Sequence, residues 1–169
     1  YDCVNTISQC AQNLMNILND ILDLSKIEAK HLSLNPESTN IRDLVESAVG
    51  IMAPMSFTKN IEMVHLIYDD VPEWILVDTT RLRQVFINLI SNAIKFTDSG
   101  EIVVRLRVKE QQADHLRLCA SVEDTGIGLD EKAREKVFEA FAQADATTTR
   151  RFGGTGLGLA ISKSIVNLM

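Results

Sequence analysis

Apolar residues recur at heptad spacing from the start of the chain, at Ile7, Cys10, Leu14, Ile17, Ile21 and Leu24, and Leu18 and Leu22 widen the stripe. The pattern predicts a helix of about 25 residues with a bundle or coiled-coil face. One amphipathic helix cannot bury such a stripe alone, so a partner helix is expected, with packing onto its own domain as the alternative. Asn35-Pro36 breaks this helical pattern. Asn40-Ile41-Arg42-Asp43 then resembles a capping box that opens a second helix to about Met55. Residues 61–68 read as a strand, 69–72 as a turn and 74–77 as a short strand. The segment from Asp78 to Thr80 carries the cap of a strong helix that reaches about Phe96, with Val85, Phe86, Leu89, Ile90, Ala93 and Ile94 as its apolar stripe.

The period then changes. Ile102, Val104, Leu106 and Val108 alternate with Val103, Arg105, Arg107 and Lys109; Leu116, Leu118, Ala120 and Val122 alternate with Arg117, Cys119, Ser121 and Glu123. Period two with one apolar face predicts an antiparallel pair covered on one side, joined through residues 111–114. Residues 130–141 read as a short helix, 142–152 as a polar loop and 157–169 as a last helix. Phe138 and Phe141 read as core positions. Without βαβ regularity, the elements imply an α+β fold: a two-layer α/β sandwich with a mixed, mainly antiparallel sheet, preceded by a bundle-type helix. Two domains are expected, residues 1–34 and 35–169.

Composition narrows the function. With 46% hydrophobic and 24% charged residues the chain is globular. Its net charge of −6 argues against nucleic acid or anionic lipid as a partner. Cys3, Cys10 and Cys119 have no metal-type spacing and read as free thiols packed as small apolar residues, which suits a reducing, cytoplasmic setting. No apolar run reaches membrane-spanning length, so no direct membrane contact is expected. Both ends fall inside helical patterns, which reads as a chain cut at each end.

Three segments carry chemistry. Gly153, Gly154, Gly156 and Gly158 put four glycines in six positions directly before an apolar helix. A backbone without Cβ atoms, opening on helix N–H groups that lack intrahelical partners, can approach phosphate closely. A flexible linker is the bland alternative. Arg150 and Arg151 beside it suit a phosphate contact or plain solvation. Asn88, Asn92 and Lys95 lie at i, i+4 and i+7 on one helix face. Asn is a poor interior helix residue, while its amide oxygen suits Mg²⁺ and the Lys95 ammonium suits phosphate oxygens; a solvated face is the alternative. Asp124-Thr125-Gly126-Ile127-Gly128 follows a strand, where the carboxylate can accept from the exocyclic amine of adenine and the glycines admit base and sugar; a turn is the alternative.

Together these segments resemble the ATP-binding domain of histidine kinases, within the family shared with gyrase, mismatch-repair ATPases and the ninety-kilodalton heat-shock chaperones. Residues 84–97, QVFINLISNAIKFT, are similar to the N box, 124–128 to the G1 box, 138–141 to the F box and 153–159 to the G2 box. Residues 19–29, NDILDLSKIEA, resemble the end of the second helix of the dimerisation and phosphoacceptor domain, and the wording resembles hybrid sensor kinases that feed a phosphorelay. The resemblance implies a Bergerat-type fold with ATP and Mg²⁺ as cofactors. It implies Asn88 and Asn92 on Mg²⁺ and triphosphate, Lys95 on phosphate, Phe96 lining the pocket and Asp124 reading adenine. It further implies pocket shaping by Gly126 and Gly128, adenine-side hydrogen bonds from Thr155, and Arg151, Gly154, Gly156, Leu157 and Gly158 at the end of an ATP lid.

The chaperone-type ATPases of this family carry a glutamate general base where this chain has Asn88, an amide that cannot take a proton at neutral pH. The resemblance therefore implies a histidine acceptor rather than water. No catalytic residue is assigned within the chain, because His31, His65 and His115 lie outside any H-box pattern. The family's fold ordinarily continues with two more strands, so the catalytic domain is expected to be truncated at its C-terminus. Implied partners are a second copy through the N-terminal helix, a phosphoacceptor histidine domain and a response-regulator receiver domain. A nucleotide-binding or dimerising pseudo-kinase is the alternative function.

Overall fold

A computed structural model describes residues 2–112, 115–142 and 155–169 of the chain; all but the first residue of the polar loop expected at 142–152, and Ala113 and Asp114 of the expected connection, lie outside the described residues. The fold divides into two compact units. One joins Tyr1–Ser33 to Glu131–Leu168, and the other runs Leu34–Asp130 and takes in Met169.

In the larger unit, β1 (Glu37–Asn40) leads into α2 (Ile41–Thr58), β2 (Ile61–Ile67), β3 (Trp74–Val77), α3 (Thr79–Phe96), β4 (Gly100–Gln111) and β5 (Leu116–Asp124). β2, β4 and β5 form one sheet in that order, with β2–β4 parallel and β4–β5 antiparallel. A parallel pair needs a long crossover, and the chain between Ile67 and Gly100 supplies it as β3 and α3. The alternation read from the sequence becomes a buried row of Ile102, Val104 and Leu106 on β4, with Leu118 and Val122 of β5 packed beside it. α2 contributes Ile41, Leu44, Val45, Ala48 and Met52 to the same core, and α3 contributes Phe86, Ile90, Ala93 and Ile94. β1 was not foreseen. Its sequence, ESTN, has no apolar alternation, and it is a strand because it pairs antiparallel with β3, Glu37 opposite Val77 through Asn40 opposite Trp74.

Both helix starts are capped as their sequences predict. Asn40 Oδ1 accepts from the N–H groups of Arg42 and Asp43, at 3.0 and 3.3 Å. Asp78 Oδ1 accepts from Arg81 N–H at 3.0 Å, while its Oδ2 accepts from Asn35 N–H at 2.9 Å. Burial by itself would raise the Asp78 pKa, but the backbone donors of Asn35, Arg81 and Thr80 and the Arg81 charge outweigh it, and the carboxyl is held below 3.8.

The smaller unit holds α1 (Asp2–Glu28), α4 (Glu131–Lys136) and α5 (Gly158–Leu168), and α1 and α5 meet within it. The α1 stripe is exposed at Ile7, Leu14, Ile17, Leu18, Ile21 and Leu22. Cys10 belongs to that stripe and is exposed too, so it is not the packed thiol its residue type suggested. Phe138 and Phe141 are likewise not core residues. α4 ends at Lys136, two residues before Phe138; both rings are exposed, and the Phe138 ring lies under the Lys163 ammonium at 5.6 Å. No described helix is long and apolar enough to cross a membrane.

Candidate functional site

Asn88, Asn92 and Lys95 lie half-buried along one face of α3, opposite its core stripe. Asn92 Nδ2 donates to Asn88 Oδ1 at 3.4 Å, which leaves the Asn92 carbonyl oxygen as a hard neutral donor. Burial lowers the Lys95 pKa from its ordinary 10.5, and its ammonium sits 4.8 Å over the Phe96 ring. A partly desolvated cation gains from an anion bound beside it. No described cluster of three or more His, Cys, Asp or Glu could hold a metal. The Asn92 amide oxygen suits a small hard cation that keeps its waters and shares a substrate's oxygens.

Asp124 ends β5 and is exposed. Its Oδ1 accepts from Gly126 N–H at 2.9 Å and from the hydroxyl of the fully buried Thr97 at 3.5 Å. Both bonds land on the same oxygen, so the exposed carboxylate is oriented through Oδ1. The turn that follows rests on the end of α3, because Ile127 N–H donates to Phe96 O at 3.2 Å. Gly126 is required there: a Cβ would collide with the Phe96 carbonyl and lie 2.7 Å from Asp124 Oδ1. Thr125 ties the same turn to β4 by accepting from Glu101 N–H at 3.1 Å. Gly128, at φ +68°, leaves the turn with open space where a Cβ would stand.

In the other unit, Thr155, Gly156, Leu157 and Gly158 lead into α5. Thr155 Oγ1 accepts from Leu157 N–H at 3.2 Å and donates to Asp20 Oδ2 at 3.4 Å, so the hydroxyl assigned to adenine is here turned to α1. Burial raises the Asp20 pKa against the lowering effect of that bond. Gly156 has φ +71°, and a Cβ would meet Ala142 O at 2.9 Å; its own carbonyl accepts from Phe141 N–H at 3.0 Å. Leu157 is buried. Arg150, Arg151 and Gly154 lie outside the described residues.

The structure thus brings Asn88, Asn92, Lys95, Phe96, Asp124, Gly126 and Gly128 together in one unit. Sequence reasoning missed Thr97 and Lys59. Thr97 stood inside the N-box segment as a signal; Lys59 had none, since only the fold carries its ammonium to the end of α3.

Residues 77–169 match the model of the histidine kinase-, DNA gyrase B- and HSP90-like ATPases. The chain belongs to this family. It is 46% identical over 169 residues to the sensor protein GacS of Pseudomonas syringae pv. syringae, covering 100% of this chain and 19% of GacS. It is 40% identical over 168 residues to the signal transduction histidine-protein kinase BarA of Escherichia coli strain K12, covering 99% of this chain and 18% of BarA. The chain thus spans about a fifth of the length of these curated relatives. Among solved structures, full-length ShkA in complex with AMPPNP superposes with a TM-score of 0.82 at 32% identity, over 98% of this chain and 33% of ShkA. The α+β architecture with a mixed sheet is that of the histidine kinase catalytic domain.

Proposed function

We propose that this chain is the ATP·Mg²⁺-binding catalytic region of a hybrid-type sensor histidine kinase. In the parent protein it transfers the γ-phosphoryl group of ATP to a histidine of a phosphoacceptor domain, for relay to a response-regulator receiver domain. Residues 1–34 are the end of the dimerising helical domain, and 35–169 the catalytic domain. The exposed apolar stripe of α1 supports a homodimer through that helix. A cytoplasmic location follows from ATP as the substrate.

The observation that carries the reading is Asp124, an exposed carboxylate fixed through one oxygen by Gly126 and Thr97. A carboxylate so held accepts from the adenine 6-amine and repels the 6-oxo group of guanine. Asn92 and Asn88 would hold Mg²⁺, which would supply positive charge against the triphosphate. Lys95 gives a charge to the phosphates, and Phe96, Gly126 and Gly128 border the base. Thr155, Gly156, Leu157 and Gly158, with Arg151 and Gly154, form the lid segment by sequence. Transfer breaks the bond between the γ-phosphorus and the bridging oxygen, ADP leaves, a P–N bond forms, and the imidazole proton is released. Asn88 cannot deprotonate water, which disfavours hydrolysis as the competing outcome.

Titration of ATP and GTP into wild type and Asp124→Ala tests this. Loss of a hydrogen bond to a charged group costs roughly 1.5–3 kcal/mol, so ATP affinity should fall about 10- to 150-fold in the variant. GTP should bind weakly to both. Equal ATP affinity in the two proteins would sink the adenine assignment.

A further inference from the structure

α2 and α3 end side by side, and the negative ends of two helix dipoles repel unless a cation lies between them. Lys59, the C-cap of α2, is that cation. Its half-buried side chain donates to three carbonyls at the end of α3: Ile94 O at 2.7 Å, Thr97 O at 3.1 Å and Lys95 O at 3.2 Å. A helix leaves its last four carbonyls without intrahelical partners, and here each is accounted for. Ala93 O accepts from Thr97 N–H and Phe96 O accepts from Ile127 N–H, while Ile94 O and Lys95 O take Lys59. The ammonium therefore sets the last turn of α3 on which the turn carrying Asp124 and Gly126 rests. Phe96 passes that setting on through Ile127, and Thr97 passes it on through its hydroxyl to Asp124 Oδ1.

We propose that Lys59 is a positioning residue for adenine recognition: it touches no nucleotide, and it fixes the end of α3 so that Asp124 Oδ2 meets the 6-amine. The inference rests on the adenine-reading role proposed above for Asp124. Lys59 meets α3 at the backbone carbonyls of its last turn, so its loss should act on base selectivity more than on phosphate binding.

The test compares ATP with inosine triphosphate, which has a 6-oxo group in place of the amine, in wild type, Lys59→Met and Lys59→Arg. Calorimetry gives each affinity, and ¹H–¹⁵N spectra without nucleotide give the Gly126 and Ile127 amides. Wild type should prefer ATP about tenfold or more, as expected for a hydrogen bond to a charged acceptor. Lys59→Met should bring that ratio to about two- or threefold and shift the Gly126 and Ile127 resonances, with partial recovery in Lys59→Arg, which keeps the charge. A loss of affinity equal for both nucleotides, or unmoved Gly126 and Ile127 resonances in a folded Lys59→Met chain, overturns the positioning role. Absence of an ATP preference in wild type overturns the adenine-reading role instead, and the resonances still decide whether Lys59 sets the turn. Should Lys59→Met not fold, Lys59→Gln, which keeps two N–H donors without the charge, is read the same way. A chain that folds with neither makes Lys59 a folding residue, which also overturns the proposal.

Discussion

Asn92 shows how little separates a structural amide from a ligand. Its NH₂ group is spent on Asn88, 3.4 Å away, while its carbonyl oxygen is the hard donor that Mg²⁺ prefers. Asn92→Ala should remove most of the Mg²⁺-dependent gain in ATP affinity. The cost to folding should stay near 1 kcal/mol, because one long hydrogen bond on a half-buried face is lost. Isothermal titration with and without Mg²⁺, beside circular dichroism, checks both parts. Retained Mg²⁺ enhancement in a folded variant would return Asn92 to a structural role. The pattern of Asn88, Asn92 and Lys95 on one face was legible from spacing alone, since i, i+4 and i+7 follow from helix geometry. Their half-burial, and the bond between the two amides, were not.

At the scale of elements, α3 is the piece on which the proposed chemistry depends, and Asp78 starts it. Asp78→Ala should destabilise the chain by about 1–2 kcal/mol, as for loss of an N-cap, with the bond from Asn35 lost as well. The sign of the pH dependence follows from a folded-state pKa held below 3.8. The contribution of Asp78 is complete above the unfolded value and is lost as pH falls through the folded one. Asp78→Asn keeps an accepting oxygen but cannot titrate, so its deficit in stability against wild type should shrink as pH drops below 3.8. Denaturant unfolding at a series of pH values measures it, and a deficit independent of pH would remove Asp78 as the titrating group. The other end of α3 has no counterpart in its own sequence. Its last three carbonyls, of Ile94, Lys95 and Phe96, are satisfied by Lys59 and Ile127, each brought there by tertiary structure.

For the molecule as a whole, binding and transfer should separate. Incubated alone with labelled ATP, the chain should gain no acid-labile phosphate, because His31, His65 and His115 lie outside an H-box sequence. Hydrolysis should also stay near background, with an amide at position 88 and no glutamate to deprotonate water. A separate polypeptide carrying an H-box histidine on its dimerising helices should restore labelling in trans. Brisk turnover by the isolated chain, abolished by Asp124→Ala, would mean a general base elsewhere and a hydrolase in place of a kinase.

The sequence by itself determined the class of fold, most of the helices and strands, and the residues set on each helix face. These depend on local quantities: the 3.6-residue and two-residue periods, caps at Asn40 and Asp78, and glycines where the backbone must turn. Only the tertiary structure decided that the polar stretch ESTN is a strand, since pairing with β3 and not its own composition makes it one. Tertiary structure also decided that β2 lies parallel to β4, that Phe138 and Phe141 are exposed, and that Thr155 faces Asp20. Most consequential is the end of α3, where Lys59 from α2, Ile127 from the turn and Thr97 meet. Hydrogen bonds between residues 27 or more positions apart leave no periodicity behind, so a reading that rests on local spacing cannot register them.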